Sequence, residues 1–218
     1  MSGALTRAAQ PAAETSAEPT AGPAAQRAAE PTAQPAARPA AEHVTEEDFR
    51  AASRGWTSGV AVVTTRAGEE VFAKTVSSFS TLSLDPPLVT VAVGRHSPLV
   101  AAARTAGRFA LSVLTDRQEP VARRFATPGA GRALGDFTAA GAFAAVPTRT
   151  AATGAPLVES ALAWFDCRLH AALPGGDHTI LVGLVAAADH GAGAPLLYHD
   201  ARYRVLAPTP LNPTGVGA

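Results

Sequence analysis

The sequence KTVSSFSTLSLDPP, residues 74–87, places hydroxyl side chains beside apolar ones at short range. This mixture is typical of a β-strand, because successive side chains of a strand point to opposite faces of a sheet. The strand is expected to end at Asp85-Pro86-Pro87, since each proline fixes φ and removes an N–H donor. Taken alone, the pattern is more typical of an edge strand that faces water, so its function depends on the rest of the chain.

The same stretch also suits a particular class of ligand. Hydroxyls and free backbone N–H groups at the end of a strand can bind a ligand that carries many polar atoms around a flat apolar ring. A flavin is such a ligand. The stretch therefore suggests a flavin site, to be weighed against the water-facing strand.

Composition excludes several kinds of protein. The 218 residues are enough for one domain with a real core. With 18 basic and 18 acidic residues the chain has no surplus to neutralise phosphates, so nucleic acid is not expected as a partner. No apolar run reaches the ~18–20 residues of a membrane span. The single cysteine, Cys167, excludes an internal disulfide and fits a cytoplasmic protein.

The chain is predicted to contain one folded domain between two tails. Residues 1–42 have no aromatic residue, valine or isoleucine, and they repeat EPTAGPAAQRAA as EPTAQPAARPAA. Such a segment cannot bury enough apolar surface to offset its chain entropy, so it is predicted to be disordered. The domain is placed at 43–207, and the proline- and glycine-rich residues 208–218 are predicted to be a second disordered tail.

The domain is predicted to be mainly β with short inserted helices. Thr45 is expected to cap a first helix, Ser97-Pro98 predicts the start of a second over 99–106, and residues 116–125 are predicted to form a third. Hairpin turns are expected at 66–69 and 174–177. Residues 129–155 are expected to be irregular. Strands are predicted at 59–65, 70–84, 88–93, 108–114, 157–173, 178–188, 195–199 and 202–206. Strands of this number joined by short turns predict an antiparallel, closed or nearly closed β-barrel, which leaves few bare edges.

Six segments, in order, resemble the short flavin reductase family, the reductase components of two-component flavin-dependent monooxygenases. The run SSFSTLSLDPPLV and the Gly-Asp-His before a strand are the most specific. The segments are FRAASRGWTSGVAVVTT (49–65), TVSSFSTLSLDPPLVTVAV (75–93), GRFALSVLTDRQEPVARRFA (107–126), GAPLVESALAWFDCRL (154–169), GGDHTILVGLV (175–185) and APLLYHDARYRVL (194–206).

The resemblance implies a fold, an activity and partners. The fold would be the FMN-binding split barrel, and the protein a homodimer with flavin near the subunit interface. The activity would be that of an NAD(P)H-dependent flavin reductase, which transfers hydride from NADH or NADPH to FMN or FAD. Reduced flavin would then diffuse to a partner monooxygenase.

The resemblance also implies roles for particular residues. Thr75, Val76, Ser77 and Ser78 would lie along the flavin ring edge, with Ser77 and Ser78 the main pair. The ribityl chain would be approached by Leu82, Ser83 and Asp85. Tyr203 would face the site or close the barrel core, and Phe125 would flank the flavin or pack in the core.

Two further roles concern phosphate and nicotinamide. Ser97 precedes a predicted helix N-terminus, which favours anions, and Arg95 adds a positive charge beside it; the alternative for Ser97 is a plain capping serine. His178 stands where the family has its active-site histidine, and Asp177 could orient it. Its expected role is to position the nicotinamide or the flavin, because proximity and orientation provide most of the catalysis of hydride transfer.

Other chemistries lack their motifs. No HExxH or paired His/Cys spacing predicts a metal site, and no GxGxxG predicts a Rossmann site. Two alternative functions stay open. One is a flavin-binding accessory protein without reductase activity, and the other is a split-barrel enzyme that uses its bound flavin in place as an oxidase or oxygenase.

Overall fold

The computed structural model of the chain describes residues 44–126 and 146–206. The predicted tails at 1–42 and 208–218 lie outside these ranges, as do residues 129–145 of the predicted irregular segment. The described part contains three α-helices: α1 (Glu46–Arg54), α2 (Pro98–Ala106) and α3 (Glu119–Ala126). Its strands are β1 (Ser58–Gly59), β2 (Ala61–Ala67), β3 (Glu70–Val76), β4 (Ser80–Leu84), β5 (Pro87–Gly94), β6 (Arg108–Val113), β7 (Thr148–Arg149), β8 (Leu157–Val158), β9 (Ala163–Gly175), β10 (His178–His190), β11 (Leu196–His199) and β12 (Arg202–Val205).

Most strands belong to one antiparallel sheet. Its order is β3-β2-β6-β9-β10-β5-β4, and every pairing in it is antiparallel. A smaller sheet has the order β1-β11-β12, and β7 pairs with β8 alone. The predicted mainly β, antiparallel architecture is confirmed.

The large sheet closes on itself through a short link. Its edge strands β3 and β4 are consecutive in the chain and are separated only by Ser77, Ser78 and Phe79. In a flat sheet the outer two of seven strands would be roughly 29 Å apart, because neighbouring strands lie ~4.8 Å apart. The four peptide steps from Val76 to Ser80 span at most ~15 Å. The sheet must therefore curl until its edges approach, and this produces the expected barrel.

The same link corrects the predicted strand over 70–84. The strand stops at Val76 and a new one starts at Ser80, on the opposite edge of the sheet. The strand pattern is continuous in the sequence, but the hydrogen-bonding partner changes from β2 to β5. The predicted end of this stretch is correct, because β4 ends at Leu84 and the turn to β5 is Asp85-Pro86, whose peptide bond is cis.

The predicted strand over 59–65 is also divided. Val60 separates β1 from β2, which belong to different sheets. Its N–H donates to the Leu196 carbonyl at 3.0 Å, and its own carbonyl accepts from Leu114 N–H at 2.9 Å. The chain therefore passes from the small sheet to the barrel at Val60. The Val60 side chain is buried.

Two other predicted elements need correction at one end. The long strand predicted from Leu157 begins at Ala163, because residues 157–158 pair separately with β7. The third helix begins as a single 3₁₀ turn, Asp116–Gln118, and becomes α-helical at Glu119. Pro120 then occupies the first turn of α3, where its missing N–H costs no helical hydrogen bond.

The barrel interior is apolar and closely packed. Alternate residues of β5 point inward, so that Val89, Val91 and Val93 are at most 1 % exposed. Helix α2 contributes Leu99, Val100 and Ala103 to the same core. A second core lies between the other face of β2 and β3 and helix α3, where Val62, Val71 and Phe125 meet. Strands β2 and β3 are therefore packed on both faces, by the barrel interior on one face and by helix α3 on the other.

The helices are short. None of those found in residues 44–126 and 146–206 has the length and apolar character needed to cross a membrane. Helix α1 is capped by Thr45, whose hydroxyl accepts from Asp48 N–H at 3.1 Å, as predicted. None of its residues is buried.

Candidate functional site

The link between β3 and β4 is anchored to β5 by Ser78. The Ser78 hydroxyl donates to the Ala92 carbonyl at 2.8 Å and accepts from Ala92 N–H at 3.1 Å. Phe79 follows and points into the barrel, where its ring lies 5.2 Å from that of Phe165. The link is therefore held from the outside by Ser78 and from the inside by Phe79, while Ser77 and Ser78 stay exposed.

Four of the residues predicted to bind flavin line one cavity. Thr75, Val76, Ser77 and Tyr203 meet there, in a space of about 200 Å³ that is completed by Val60, Ala126 and Tyr198. The Thr75 hydroxyl donates to the Ala122 carbonyl of α3 at 2.7 Å, which fixes the floor of the cavity. The cavity combines small polar groups with two aromatic rings.

Tyr203 is held in place by its neighbours. Its ring lies 5.6 Å from Tyr198, edge to face, and the guanidinium of Arg123 lies over it at 5.1 Å. Arg123 is in turn hydrogen-bonded to Glu119 at 2.7 Å. Burial raises the pKa of the Tyr203 phenol above its ordinary value, so the ring is neutral at physiological pH. Tyr203 therefore forms a fixed, uncharged wall of the cavity.

His178 starts β10, directly beside the end of β5. It lies opposite Gly94, and the Arg95 N–H donates to the Asp177 carbonyl at 2.9 Å. The His178 Nδ1 lies 2.7 Å from the Asp177 Oδ1, and this hydrogen bond lowers the pKa of the Asp177 carboxyl. The positive charge of Arg95 lowers it slightly further. Asp177 is therefore ionised at neutral pH and orients the half-exposed His178 ring.

Ser97 has the position predicted for it but makes no helix cap through its side chain. It precedes Pro98 at the start of α2, and its hydroxyl forms no capping hydrogen bond. Its N–H donates to the Gly94 carbonyl at 2.8 Å, and the Arg95 and His96 side chains are hydrogen-bonded to each other at 3.0 Å. This turn follows Gly94, so the predicted phosphate residues lie next to His178.

The register of β5 relates these groups to one another. Ser78 contacts β5 at Ala92, and His178 lies opposite Gly94, only two residues further along. Two residues of a strand span ~7 Å. Ser77 and Ser78, the turn at Arg95 and His178 are thus gathered at one end of β5.

Other predicted site residues lie apart from this end. Leu82, Ser83 and Asp85 occupy β4 and the turn before β5, where Ser83 pairs with Leu88 and its hydroxyl donates to the Asp85 carbonyl at 3.2 Å. Pro87, where β5 begins, is five residues from Ala92, or ~17 Å along a strand. A ligand at the Gly94 end would reach Asp85 only if it extended along the whole strand.

The structure places Phe125 in the core. Its side chain is 1 % exposed and packs with Val62 and Val71 between α3 and the sheet. Of the two roles considered for Phe125, core packing is the one that these contacts describe.

Two positions of the site were missed by the sequence. Tyr198 lines the cavity because it pairs directly with Tyr203 across the β11–β12 turn. The signal was the spacing, since a two-residue turn brings residues i and i+5 opposite each other. Gly94 lies opposite His178, and no property of the sequence identified it.

These groups fit a flavin by their chemistry. Small hydroxyls and backbone groups at Thr75–Ser78 can pair with the polar edge of the ring, Tyr203 can contact its apolar face, and Arg95 can bind phosphate. The cavity, at about 200 Å³, is smaller than the ~300–1,000 Å³ of typical ligand pockets, so it could enclose only part of the molecule. Within the described residues, no group of three or more His, Cys, Asp or Glu side chains is arranged to hold a metal ion.

Comparison with known proteins gives a consistent family. Residues 53–207 match the family model described as "Flavin reductase like domain". The reductase component of 4-hydroxyphenylacetate 3-monooxygenase from Thermus thermophilus is 40% identical over 163 residues, which is 74% of this chain and 97% of that protein. The NADH:FMN oxidoreductase of Rhodococcus qingshengii is 34% identical over 170 residues, or 76% of this chain and 83% of that protein.

Solved structures show the same fold. The NADH:FAD oxidoreductase SgcE6 of Streptomyces globisporus matches with a TM-score of 0.67 and 35% identity, over 78% of this chain and 100% of that chain. BorF, the flavin reductase component of a bacterial two-component tryptophan halogenase, matches with a TM-score of 0.66 and 34% identity, over 74% and 98% of the two chains. The predicted split-barrel fold is thus confirmed by its structural neighbours.

Proposed function

Because the chain belongs to the flavin reductase like family, we propose that it is an oxidoreductase that transfers hydride from NADH to FMN or FAD. Relatives named as NADH:FMN and NADH:FAD oxidoreductases support this donor and these acceptors. The reaction consumes NADH, the flavin and one proton, and yields NAD⁺ and reduced flavin. The flavin accepts the hydride pair when bound, and the residues of the chain bind and orient the two reactants.

The observation that supports this function best is the grouping at the Gly94 end of β5. Ser77 and Ser78 approach this end from the link, Arg95 and Ser97 follow it, and His178 lies opposite it. Hydride transfer requires two flat rings held in close contact, so binding and orientation provide most of the rate. The polar link and the cationic turn at this end of β5 would supply that orientation.

His178 acts as a positioning group for the nicotinamide. The Asp177 carboxylate lies 2.7 Å from His178 Nδ1 and holds the ring by that nitrogen. The other ring nitrogen, Nε2, is then available for the carboxamide group of the nicotinamide. No proton transfer by His178 is needed for the hydride step.

The test is the loss of NADH absorbance with FMN or FAD, with NADPH as the comparison donor. Fast oxidation of NADH that depends on added flavin is expected, because released reduced flavin must be replaced in each turnover. Absence of oxidation with every combination would contradict the proposal. Oxidation without added flavin would instead favour an enzyme that retains its flavin and uses it in place.

Reduced flavin leaving this protein would supply a monooxygenase. Relatives are named as reductase components or subunits of monooxygenases, which supports a partner of that class. Transfer by diffusion predicts that a flavin-dependent monooxygenase is active with this protein across a dialysis membrane under low oxygen. The cytoplasm remains the predicted location, in keeping with the free, buried thiol of Cys167.

We also propose that the protein is a homodimer that joins through the outer face of β5 and β10. Over residues 88–93 and 179–184 both strands carry apolar residues on both faces except at Thr90 and Thr179, a pattern typical of strands covered on each side. Their inward residues are buried, whereas Leu88, Ala92, Ile180 and Leu184 on the other face are only half-buried. Helices α2 and α3 have their main contacts on β2 and β3 instead.

A second copy is the occupant that these features favour. The half-buried face ends near Ala92, which is bonded to Ser78 of the link, and the cavity lined by the neighbouring Ser77 is too small for a whole flavin. An isologous pair would cover the apolar face and extend the site with residues of the other subunit. Light scattering is expected to give twice the chain mass of 22.0 kDa, whereas a monomer mass at micromolar concentration would contradict this proposal.

A further inference from the structure

We infer that Ser78 is a positioning residue: its hydroxyl takes the place of strand pairing at Ala92 and so leaves the backbone of the link, residues 77–79, available to the flavin. This inference rests on the proposed function. It specifies the role of Ser78, which was predicted from the sequence only to lie along the flavin ring edge.

The register shows where pairing is interrupted. Ser80 lies opposite Thr90, so two residues earlier Ser78 would lie opposite Ala92 if β4 continued. The strand instead begins at Ser80, and both backbone groups of Ala92 are bonded to the Ser78 hydroxyl. A side chain therefore completes the ladder of β5 at this position.

Because the Ser78 side chain takes the place of backbone pairing, the backbone N–H and C=O groups of residues 77–79 have no partners in the strand ladders. Outside the strand ladders, residues 77–79 make no backbone–backbone hydrogen bond to any residue in 44–126 or 146–206. Backbone N–H and C=O groups seek partners wherever they are shielded from water. A ligand that covers the exposed Ser77 and Ser78 must satisfy these groups, and the polar edge of a flavin carries both donors and acceptors.

The position of the link also matches the site. Ser77 lines the cavity with Tyr203, and Ala92 is two residues from Gly94, which lies opposite His178. Phe79 fixes the inner side of the link against Phe165. With Ser78 fixing the outer side, the backbone of the link is held in one position next to the cavity that Ser77 lines.

The test compares three variants of the full-length chain. Ser78→Ala removes the hydroxyl and Ser78→Thr keeps it. Ser80→Ala removes a nearby exposed hydroxyl whose one hydrogen bond within the described residues is to the Thr81 carbonyl, at 3.1 Å. FMN affinity is measured by fluorescence quenching, and kcat and KM are measured with NADH. Ser78→Ala is expected to weaken FMN binding about tenfold, the order of effect of one lost hydrogen-bonded anchor. Its KM for FMN is expected to rise by a similar factor, which is the signature of weaker flavin binding.

Hydrogen exchange separates positioning from general stability. In the wild-type protein, the amides of residues 77–79 are expected to exchange rapidly without FMN and to become protected when it binds. In Ser78→Ala that protection is expected to fall, while Ser78→Thr and Ser80→Ala behave like wild type. The inference is overturned if Ser78→Ala binds FMN normally, or if Ser78→Thr is as weak as Ser78→Ala. If the wild-type protein oxidised no NADH, the proposed function would be contradicted. The FMN titration would still test the role of Ser78, because it measures binding and needs no NADH oxidation.

Discussion

In the Asp177–His178 pair, one carboxylate holds one ring in place through a hydrogen bond of 2.7 Å. The Asp177 pKa is lowered by its hydrogen bond to His178, so the carboxylate persists until the pH falls below its ordinary range. Any stability that this bond adds is therefore present at neutral pH and lost only in acid, as pH falls through the lowered pKa.

Asp177→Asn removes the charge but keeps the shape of the side chain. The His178 ring then loses the carboxylate that orients it, and kcat/KM for NADH is expected to fall about tenfold with little change in FMN affinity. Asp189→Asn is the matched control, because Asp189 precedes His190 at the other end of the same strand, with its carboxylate bonded to the His190 N–H at 2.8 Å. Equal kinetics for both variants would show that Asp177 does not orient the nicotinamide site.

Cys167 gives a second prediction at the residue scale. Burial, with a smaller effect of the nearby Asp166 charge, raises the pKa of its thiol from 9.0 to about 12. The unfolded chain therefore loses this proton at a lower pH than the folded protein, and stability must decline as pH rises from about 9 toward 12. The decline attributable to this thiol is at most ~1.4 kcal/mol per pH unit.

Cys167→Ala removes that contribution. Denaturant unfolding at pH 8 and pH 10 is expected to show a smaller loss of stability in the variant than in wild type. Comparing the two slopes cancels the cost of the lost sulfur, which is the same at both pH values. If the free energy of unfolding fell equally in both proteins between pH 8 and pH 10, the thiol would ionise in the folded protein as readily as in the unfolded one.

Single residues were predicted from the sequence only as far as their role is local. Ser97 before Pro98 and His178 after a glycine turn have the expected positions, because short-range geometry fixes them. The use of the Ser78 hydroxyl could not be foreseen, since its partner Ala92 is fourteen residues away and is chosen by strand register. The burial of Phe125 depends on how α3 packs, which the helix pattern alone does not state.

At the scale of elements, β10 packs so closely against its neighbours at Gly183 that a side chain would not fit there. A Cβ atom at Gly183 would lie 2.6 Å from Phe109 Cζ and 2.8 Å from Cys167 Cβ. Both neighbours are fully buried and cannot move aside easily. The close approach of β10 to β6 and β9 therefore requires glycine at this position.

Gly183→Ala is expected to lower the free energy of unfolding by about 1–3 kcal/mol, the usual cost of overpacking a core. Gly59→Ala is the control, because Gly59 is also in a strand but a Cβ there meets nothing within 4 Å. Thermal or denaturant unfolding of the two variants measures the difference. If both were equally stable, the barrel interior would be looser at β10 than these contacts imply.

Several elements were predicted almost residue by residue. Strand β5, helix α2 and the β9–β10 hairpin all carry their signals within a few residues, namely β-branched residues, Ser-Pro and Gly-Gly. The breaks at Val60 and at residues 77–79 carry no such signal. They arise because the chain changes hydrogen-bonding partners there, and a partner is a property of the whole sheet.

At the scale of the whole molecule, the proposed dimer can be tested on the outer face of β10. Leu184→Glu places a charge on the half-buried apolar face, where burial without a partner is unfavourable. The variant is expected to be monomeric in light scattering and to bind FMN more weakly. Val205→Glu is the control, since Val205 is 58 % exposed and lies in the small sheet. A dimeric Leu184→Glu protein with normal FMN affinity would place the interface elsewhere.

The barrel itself was predictable from strand count and short connections, because a closed sheet leaves few free edges. The position at which it closes was not. Closure depends on β3 and β4 being neighbours in sequence and opposite edges in space, which only the full strand order reveals. The site is built at that closure, so its geometry was hidden for the same reason.

The short link between β3 and β4 also bears on chain entropy. Loop closure costs little when a loop is short and rises only slowly with length, by ~0.6 kcal/mol for each doubling. Once the β2–β3 hairpin has formed, three residues hold the β4–β5 hairpin close to its final place. A few glycines inserted into the link would therefore cost the barrel little stability while loosening the backbone next to the cavity that Ser77 lines. Folding and ligand binding thus make different demands on the same three residues, and binding makes the stricter one.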